Sequence, residues 1–501
     1  MNKKIVRIIT AGLLAAMLLS CFAGCGSQDS AAVTTAAADT ESAAAETSAD
    51  ELRPAIPDDL DLAGADINIL NGAYFEMDKV LMDASESTGD VVNDAVYERN
   101  LKVMSDLNCN FNIVSKSQLG GDSIDKLISS SVLAGSNDYD FVIGVQYLVT
   151  PLVLQNMYIN LYGAPYIDIS EPWWSDSYIN EVTVGTERLY FLAGDISLAF
   201  MRNQSCAYYN KTLYQNLFGD PAEMYDTVID GKWTMDKLYA LSDASYSDLN
   251  GDSASDKADQ FGAGVIASNI TDHFTFDAGV RATTRGSDGI PKLTMNNEHT
   301  ISFTEKLYEL YYNCKGTYVF PSTEEALATD MPLKFMNDQL LFMFEWLYSA
   351  DYLRDMQSDY GIIPYPKFDE NQEQYLSLIH DVASITCVPA TCDKLDAVCA
   401  VMELLAYYGY KSVTPAYYEV ALKTKYVRDS AENALQIIDI IHDAATTDFA
   451  YIYNYALNGI GLIERDIIAG KKSDFASYYA KKEEKTLLKL DELIELYTSL
   501  N

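Results

Sequence analysis

Apolar positions change their period repeatedly along this chain. Ile67-Asn68-Ile69-Leu70 predicts a short buried strand, after which Val92, Val96, Val103 and Leu107 recur at helical spacing. Phe111-Asn112-Ile113-Val114 predicts the next strand. Asp122 or Ser123 is placed to cap a helix through Ile124, Leu127, Ile128 and Val132, and Gly135 to end it. Phe141-Val142-Ile143 gives a third strand. A β-α-β-α-β run implies a mostly parallel sheet with helices on both faces, where ligands bind at the carboxyl ends of the strands. Those ends are the loops starting at Asn71 and Gly144.

A second α/β segment begins where Tyr190-Phe191-Leu192-Ala193-Gly194-Asp195 leads into Cys206-Ala207-Tyr208-Tyr209-Asn210-Lys211, with Thr234 as the expected cap of a following helix. Asp359 to Pro366 and Ala383 to Pro389 contain short strands, and helical periodicity covers Ala397 to Tyr408 and Glu484 to Leu496. No repeat of fixed period is present.

The amino end has a different character. Lys3, Lys4 and Arg7 precede a mostly apolar run from Ile8 to Leu19, then Phe22-Ala23-Gly24-Cys25. A run of about a dozen residues is too short to cross a hydrocarbon core of roughly 30 Å. This reads as a secretory signal over residues 1–24 ending in a lipobox, with Cys25 as the lipidation site and Cys21 as a weaker rival. Residues 25–58, nearly all Ser, Ala, Thr, Asp, Glu and Gly until Pro54 and Pro57, bury too little apolar surface to offset their ordering entropy and form a flexible linker. The expected location is the outer face of the cell membrane, held by the lipid.

Composition removes other classes. The net charge of -38, from 73 acidic against 35 basic residues, disfavours nucleic acid, whose phosphates are bound by lysine and arginine. Cys109, Cys206, Cys314, Cys387, Cys392 and Cys399 lack zinc spacing; Cys387 and Cys392 are close enough in sequence to pair, and buried free thiols are the alternative. His273, His299, His380 and His442 stand apart from any HExxH, and neither GxSxG nor GxxxxGK occurs.

Tyr139-Asp140-Phe141-Val142-Ile143, then Leu189 to Asp195 before Tyr209-Asn210-Lys211, then Lys232-Trp233-Thr234, then Gly361 to Pro366, resemble in their order the extracellular solute-binding proteins of ABC importers, in the maltose-type, carbohydrate-binding branch. Gly89 to Asn100 is similar to lipoproteins of this kind from clostridial bacteria. The likeness spans about residues 60 to 480. It implies a periplasmic-binding-protein type II fold, two α/β lobes joined by a three-crossing hinge, with ligand enclosed between them. Lobe one takes residues 60–197 and 382–412, lobe two 198–381 and 413–501. The crossings are expected near Gly194 to Asn203, His380 to Ala383 and Lys411 to Pro415.

A sugar presents apolar C–H faces and a rim of hydroxyls, so its site needs aromatic plates with carboxylates and amides. By order, the resemblance places Trp346, with Glu345, where maltose-type proteins carry a stacking tryptophan. Tyr74 and Glu76 follow the first strand, Gln146 and Tyr147 the third, and Asp195 and Arg202 flank the first crossing. Trp173 and Trp174 are further candidates; on an extended segment adjacent side chains point to opposite faces, so at most one would meet ligand.

One constellation suggests a metal. Asp248, Asn250, Asp252, Asp256 and Asp259 stand at positions 1, 3, 5, 9 and 12 of a loop, with the Ala254 carbonyl at 7, the spacing that wraps calcium. Ser253 replaces the usual turn glycine and Asp259 the usual glutamate. The expectation is therefore a monomeric, non-enzymatic binding protein that passes a sugar or oligosaccharide to a membrane permease, needs no cofactor and carries structural Ca2+ at this loop. The alternative is a secreted carbohydrate-active hydrolase on a lipid anchor, its two carboxylates distant in sequence.

Overall fold

Thirteen strands organise the chain among the described residues: β1 (Ala65–Ala73), β2 (Cys109–Ser117), β3 (Phe141–Val145), β4 (Ser205–Asn210), β5 (Phe261–Ile266), β6 (Thr283–Arg285), β7 (Pro291–Leu293), β8 (Thr317–Phe320), β9 (Leu340–Trp346), β10 (Tyr360–Ile363), β11 (Ser377–Leu378), β12 (Ser384–Cys387) and β13 (Ala445–Thr446). The computed structural model describes residues 52 to 117, 123 to 418 and 431 to 500. The signal segment, Cys25, Asp122 and most of the linker lie outside them.

Lobe one is built on the sheet β12-β3-β1-β2. β1 runs parallel to both β2 and β3, while β12 is antiparallel to β3 with Ser384 opposite Val145. This direction puts the chain leaving β1 and β3, and the chain entering β12, at one end of the sheet. Lobe two is built on β10-β4-β9-β5-β8. There β9 and β8 are parallel to β5, and β4 is antiparallel to β9 with Ser205 opposite Trp346. The entry to β4 and the exits of β5, β8 and β9 therefore share an end.

Local sequence explains these elements. β3, β4, β5 and β9 are buried at every residue, as expected of strands covered on both faces, and each is dominated by apolar and aromatic residues. The helix Val91–Leu107 starts at Asp90, whose carboxylate accepts from the Val92 and Asn93 amides at 3.1 and 3.0 Å. Such a cap contributes about 1 kcal/mol. The helix buries Val96, Arg99, Asn100, Val103 and Leu107 and stops at Asn108, which is left-handed at φ 47°. Thr234 caps the helix Met235–Ala244 through the Lys237 amide, 3.3 Å.

The connections between lobes lie side by side. The first runs through the helix Leu198–Arg202, the second through His380 to Ala383, and the two pair where Gln204 bridges Ile379 and the His380 amide donates to the Asn203 carbonyl, 3.1 Å. A third leaves the helix Leu395–Tyr408 through Gly409–Val413 and Thr414–Tyr418. Among the described residues no helix is long and apolar enough to cross a membrane.

Candidate functional site

The strand ends of the two sheets face each other along a seam, and its walls are aromatic. Tyr74 and Phe75 leave β1 as a half-buried pair, edge to face at 4.8 Å. Trp346 closes β9 and Tyr348 follows, their rings stacked at 5.4 Å and 11°. Phe75 meets Tyr348 at 5.6 Å, so one lobe touches the other ring to ring. Behind Trp346, His380 from the second connection stands edge-on at 4.9 Å, and His273 from the helix Asn269–Asp277 stacks on His380 at 5.7 Å. Lobe one completes the wall: the amides of Gln146 and Tyr147 donate to the carbonyls of Ala383, 2.9 Å, and Asp381, 3.1 Å. Tyr147, Asp381, Tyr451 and Tyr455 line a cavity of about 90 Å³ there.

Several polar atoms at this seam are buried without a hydrogen-bond partner: Trp346 Nε1, Gln146 Nε2, Glu345 Oε1 and both ring nitrogens of His273. Buried polar groups are nearly always paired, and for Glu345 and His273 burial resolves the exception by holding them neutral. Burial holds the Glu345 carboxyl well above the usual carboxylate range, against the Ser349 hydroxyl that donates to it at 3.3 Å. Burial likewise holds His273 well below the usual imidazole range, reinforced by His380 and Arg465. Asp272 is raised to about 6 by burial, opposed by Arg465. Burial would raise Asp381 too, but His380, 3.1 Å away, and Arg465 bring it below its ordinary value. The seam thus sets a neutral Glu345 and a neutral His273 beside aromatic plates and the ionised Asp381.

No protein-family model and no curated protein matches the sequence. Solved structures do match. The cyclic alpha-maltosyl-1,6-maltose binding protein from Arthrobacter globiformis aligns over 85% of this chain and 100% of its own at 14% identity, with a TM-score of 0.57. A cyclo/maltodextrin-binding protein complexed with maltotetraose aligns over 86% and 97% at 11% identity, TM-score 0.56. The UgpB protein of Mycobacterium tuberculosis, in complex with glycerophosphocholine, aligns over 86% and 99% at 14%, TM-score 0.52. The fold is the periplasmic-binding-protein type II fold. In this binding-protein fold the seam between lobes is the expected place for a solute.

Apart from the two adjacent tryptophans, the ligand-binding residues expected from sequence divide into three groups. Tyr74, Gln146, Tyr147, Glu345 and Trp346 stand at the seam; the Tyr178 hydroxyl donates to Gln146 Oε1, and Tyr74 is raised by burial with Asp381 and Glu324 nearby. Glu76 turns to solvent, its side chain 73% exposed and paired with Lys79 at 2.6 Å. The rest belong to the connections. Arg202 pairs with Asp78 and Asp351. Asp195 accepts from Thr414 Oγ1 at 2.5 Å and lies 3.9 Å from His442, beside a cavity of about 270 Å³ that Trp174 and Gln204 also line.

The two adjacent tryptophans correct an expectation. Trp173 and Trp174 do not point to opposite faces: their segment is a turn, and both indole N–H groups donate to Glu403, to Oε1 and Oε2, each at 2.9 Å. Burial raises Glu403 to about 7 against these two bonds. Phe75, Tyr348, His273, His380 and Asp381 were missed as site residues. The aromatic spacing of Trp346, Tyr348 and Tyr352 directly after a buried strand was the available signal for Tyr348.

The Asp248 to Asp259 loop lies away from the seam and is closed by its own bonds. Asp248 accepts from the Gly251 and Ser253 amides at 2.6 and 2.9 Å, Asp252 from Ala254 at 2.7 Å, Asp256 from Ala258 at 2.7 Å, and Asp259 from Leu249 at 3.2 Å. Ser253, at the position of the usual glycine, has φ 67°. Among the described residues no three His, Cys, Asp or Glu side chains converge as a metal site. Cys109, Cys206, Cys314, Cys387, Cys392 and Cys399 are all free thiols, and Cys387 is buried beside Tyr158 rather than paired with Cys392.

Proposed function

We propose that this chain is the lipid-anchored extracellular binding component of an ABC importer, and that it encloses a sugar or oligosaccharide between its lobes for delivery to a membrane permease. The observation that carries this reading is the ring-to-ring approach of Phe75 and Tyr348 across the seam, with Trp346 stacked behind. Aromatic plates from both sides suit the two apolar faces of a pyranose, and the unpartnered Trp346, Gln146 and His273 nitrogens suit its hydroxyls. The Arthrobacter and cyclo/maltodextrin-binding relatives of the fold are described by their maltose-based ligands, which supports starting with α-glucans. The protein would capture and release its solute unchanged.

Purified protein is melted with and without maltotriose, maltotetraose and a wider glycan set, and the same mixtures are chromatographed for products. A raised melting temperature with intact glycan supports the reading. Product release that disappears in Glu345→Gln or Asp381→Asn would favour the hydrolase instead, and no shift with any glycan would remove carbohydrate as the solute class. Mass spectrometry of membrane-associated protein, seeking a diacylated peptide beginning at Cys25, tests the anchor.

A further inference from the structure

We propose that Arg202 is an ionic staple that sets how far apart the two lobes stand, holding one carboxylate from each. Arg202 ends the helix Leu198–Arg202 on the first connection, with its side chain 10% exposed. Its Nη2 lies 3.5 Å from Asp78, on the turn after β1 in lobe one. Its Nη1 lies 3.0 Å from Asp351, on the turn after β9 in lobe two. The guanidinium sits over the ring of Tyr417, 5.5 Å from its centre, and the Tyr417 hydroxyl donates to the Leu347 carbonyl at 3.2 Å. One side chain thus meets both lobes and two of the connections between them.

The surroundings give this triad its leverage. Beside it lies a cavity of about 700 Å³, walled by Met77, Val80 and Thr88 from lobe one and by Ala350, Arg354 and Tyr360 from lobe two. On this flank the lobes face each other across open space, and charge holds what packing does not. On another flank the end of the helix Asp176–Val182 and the turn at Gly185 meet the β6–β7 hairpin through the Glu181–Arg285 ion pair and a Gly185 to Gly289 backbone bond of 3.1 Å. A fork of separate N–H groups can serve two carboxylates at once, which a lysine point charge does less well. Because Arg202 and Asp78 are largely buried, salt screens the staple weakly.

The inference rests on the reading that the lobes move, but its test needs no solute. Spin labels are placed on the exposed faces of the lobes through Leu133→Cys and Leu333→Cys, with Cys392→Ser to silence the half-buried thiol. Dipolar spectroscopy then gives the interlobe distance distribution of the ligand-free protein. Asp351→Asn and Asp78→Asn are expected to lengthen and broaden it, and Asp351→Glu to keep the parent distribution. If Asp351→Asn yields no folded protein, Asp78→Asn decides. Distributions superimposable on the parent in the folded neutral variants overturn the staple. A maltotriose titration on the same samples separates the two ideas: lobes that part without any sugar binding defeat the carbohydrate reading and leave the staple, while binding with unmoved distances does the reverse.

Discussion

His442 shows how a single side chain couples the fold to pH. Burial works against its charge, yet Asp195 and Asp443, the latter at 3.0 Å, raise it to about 10 from an ordinary 6.5. A histidine with a raised folded value lends stability that is complete below about 6.5 and is lost as pH climbs towards about 10. The wild-type melting temperature should therefore exceed that of His442→Gln most at pH 6, with the gap closing by pH 10; a constant gap across scans from pH 6 to 10 would contradict the assignment. At this scale the sequence was legible in part. Tyr74 and Gln146 were recognisable because each directly follows a strand whose apolar run is plain, and Trp346 only through the order of segments in the family resemblance. Phe75 and Asp381 were not, because their importance depends on what the other lobe or the second connection brings to them. The tryptophan pair was misjudged because period-2 alternation holds only for extended backbone, and the Glu171-Pro172 step makes a turn.

Among elements, the first connection is the most constrained. Gly194 has φ 154°, and a Cβ there would run into the Trp173 carbonyl oxygen and the Trp174 backbone. The same stretch is tied by the Asp195 amide to the Trp173 carbonyl, 2.9 Å, so it cannot easily move aside. Gly194→Ala should cost about 1–3 kcal/mol, read as a lowered melting temperature, as overpacking does. The acidic loop makes the opposite kind of prediction. Its carboxylates already accept from loop amides, so calcium has to displace those bonds; if it does, added calcium raises the melting temperature, chelator lowers it, and Asp252→Ala abolishes both effects. A melting curve indifferent to chelator would assign the loop to a self-closed turn. β1, β2, β3, β4, β10 and β12 were readable from their apolar runs, while β5, β8 and β9 were not singled out, and the 310 turns at Glu76–Leu81 and Leu347–Asp355, which carry Asp78 and Asp351, have no such pattern.

For the molecule as a whole, the order of segments carried more information than any motif, since each matching stretch is short and only their succession specifies two sheets with paired connections. A solute that binds only the folded, closed arrangement should stabilise it by about 2.7 kcal/mol at a hundredfold excess over its dissociation constant. Calorimetric melts across a concentration series check this, and a midpoint that does not climb with concentration counts against binding. The unequal bonding of the indoles adds one more consequence. The chain has 4 tryptophans; Trp173 and Trp174 are tethered to Glu403 and Trp233 to the Pro364 carbonyl at 2.9 Å, while the Trp346 nitrogen is unpartnered. Ultraviolet emission from the first three should stay constant when the lobes fill, so any spectral change on occupancy originates at Trp346. The protein carries its own optical gauge, and one substitution, Trp346→Phe, should silence it.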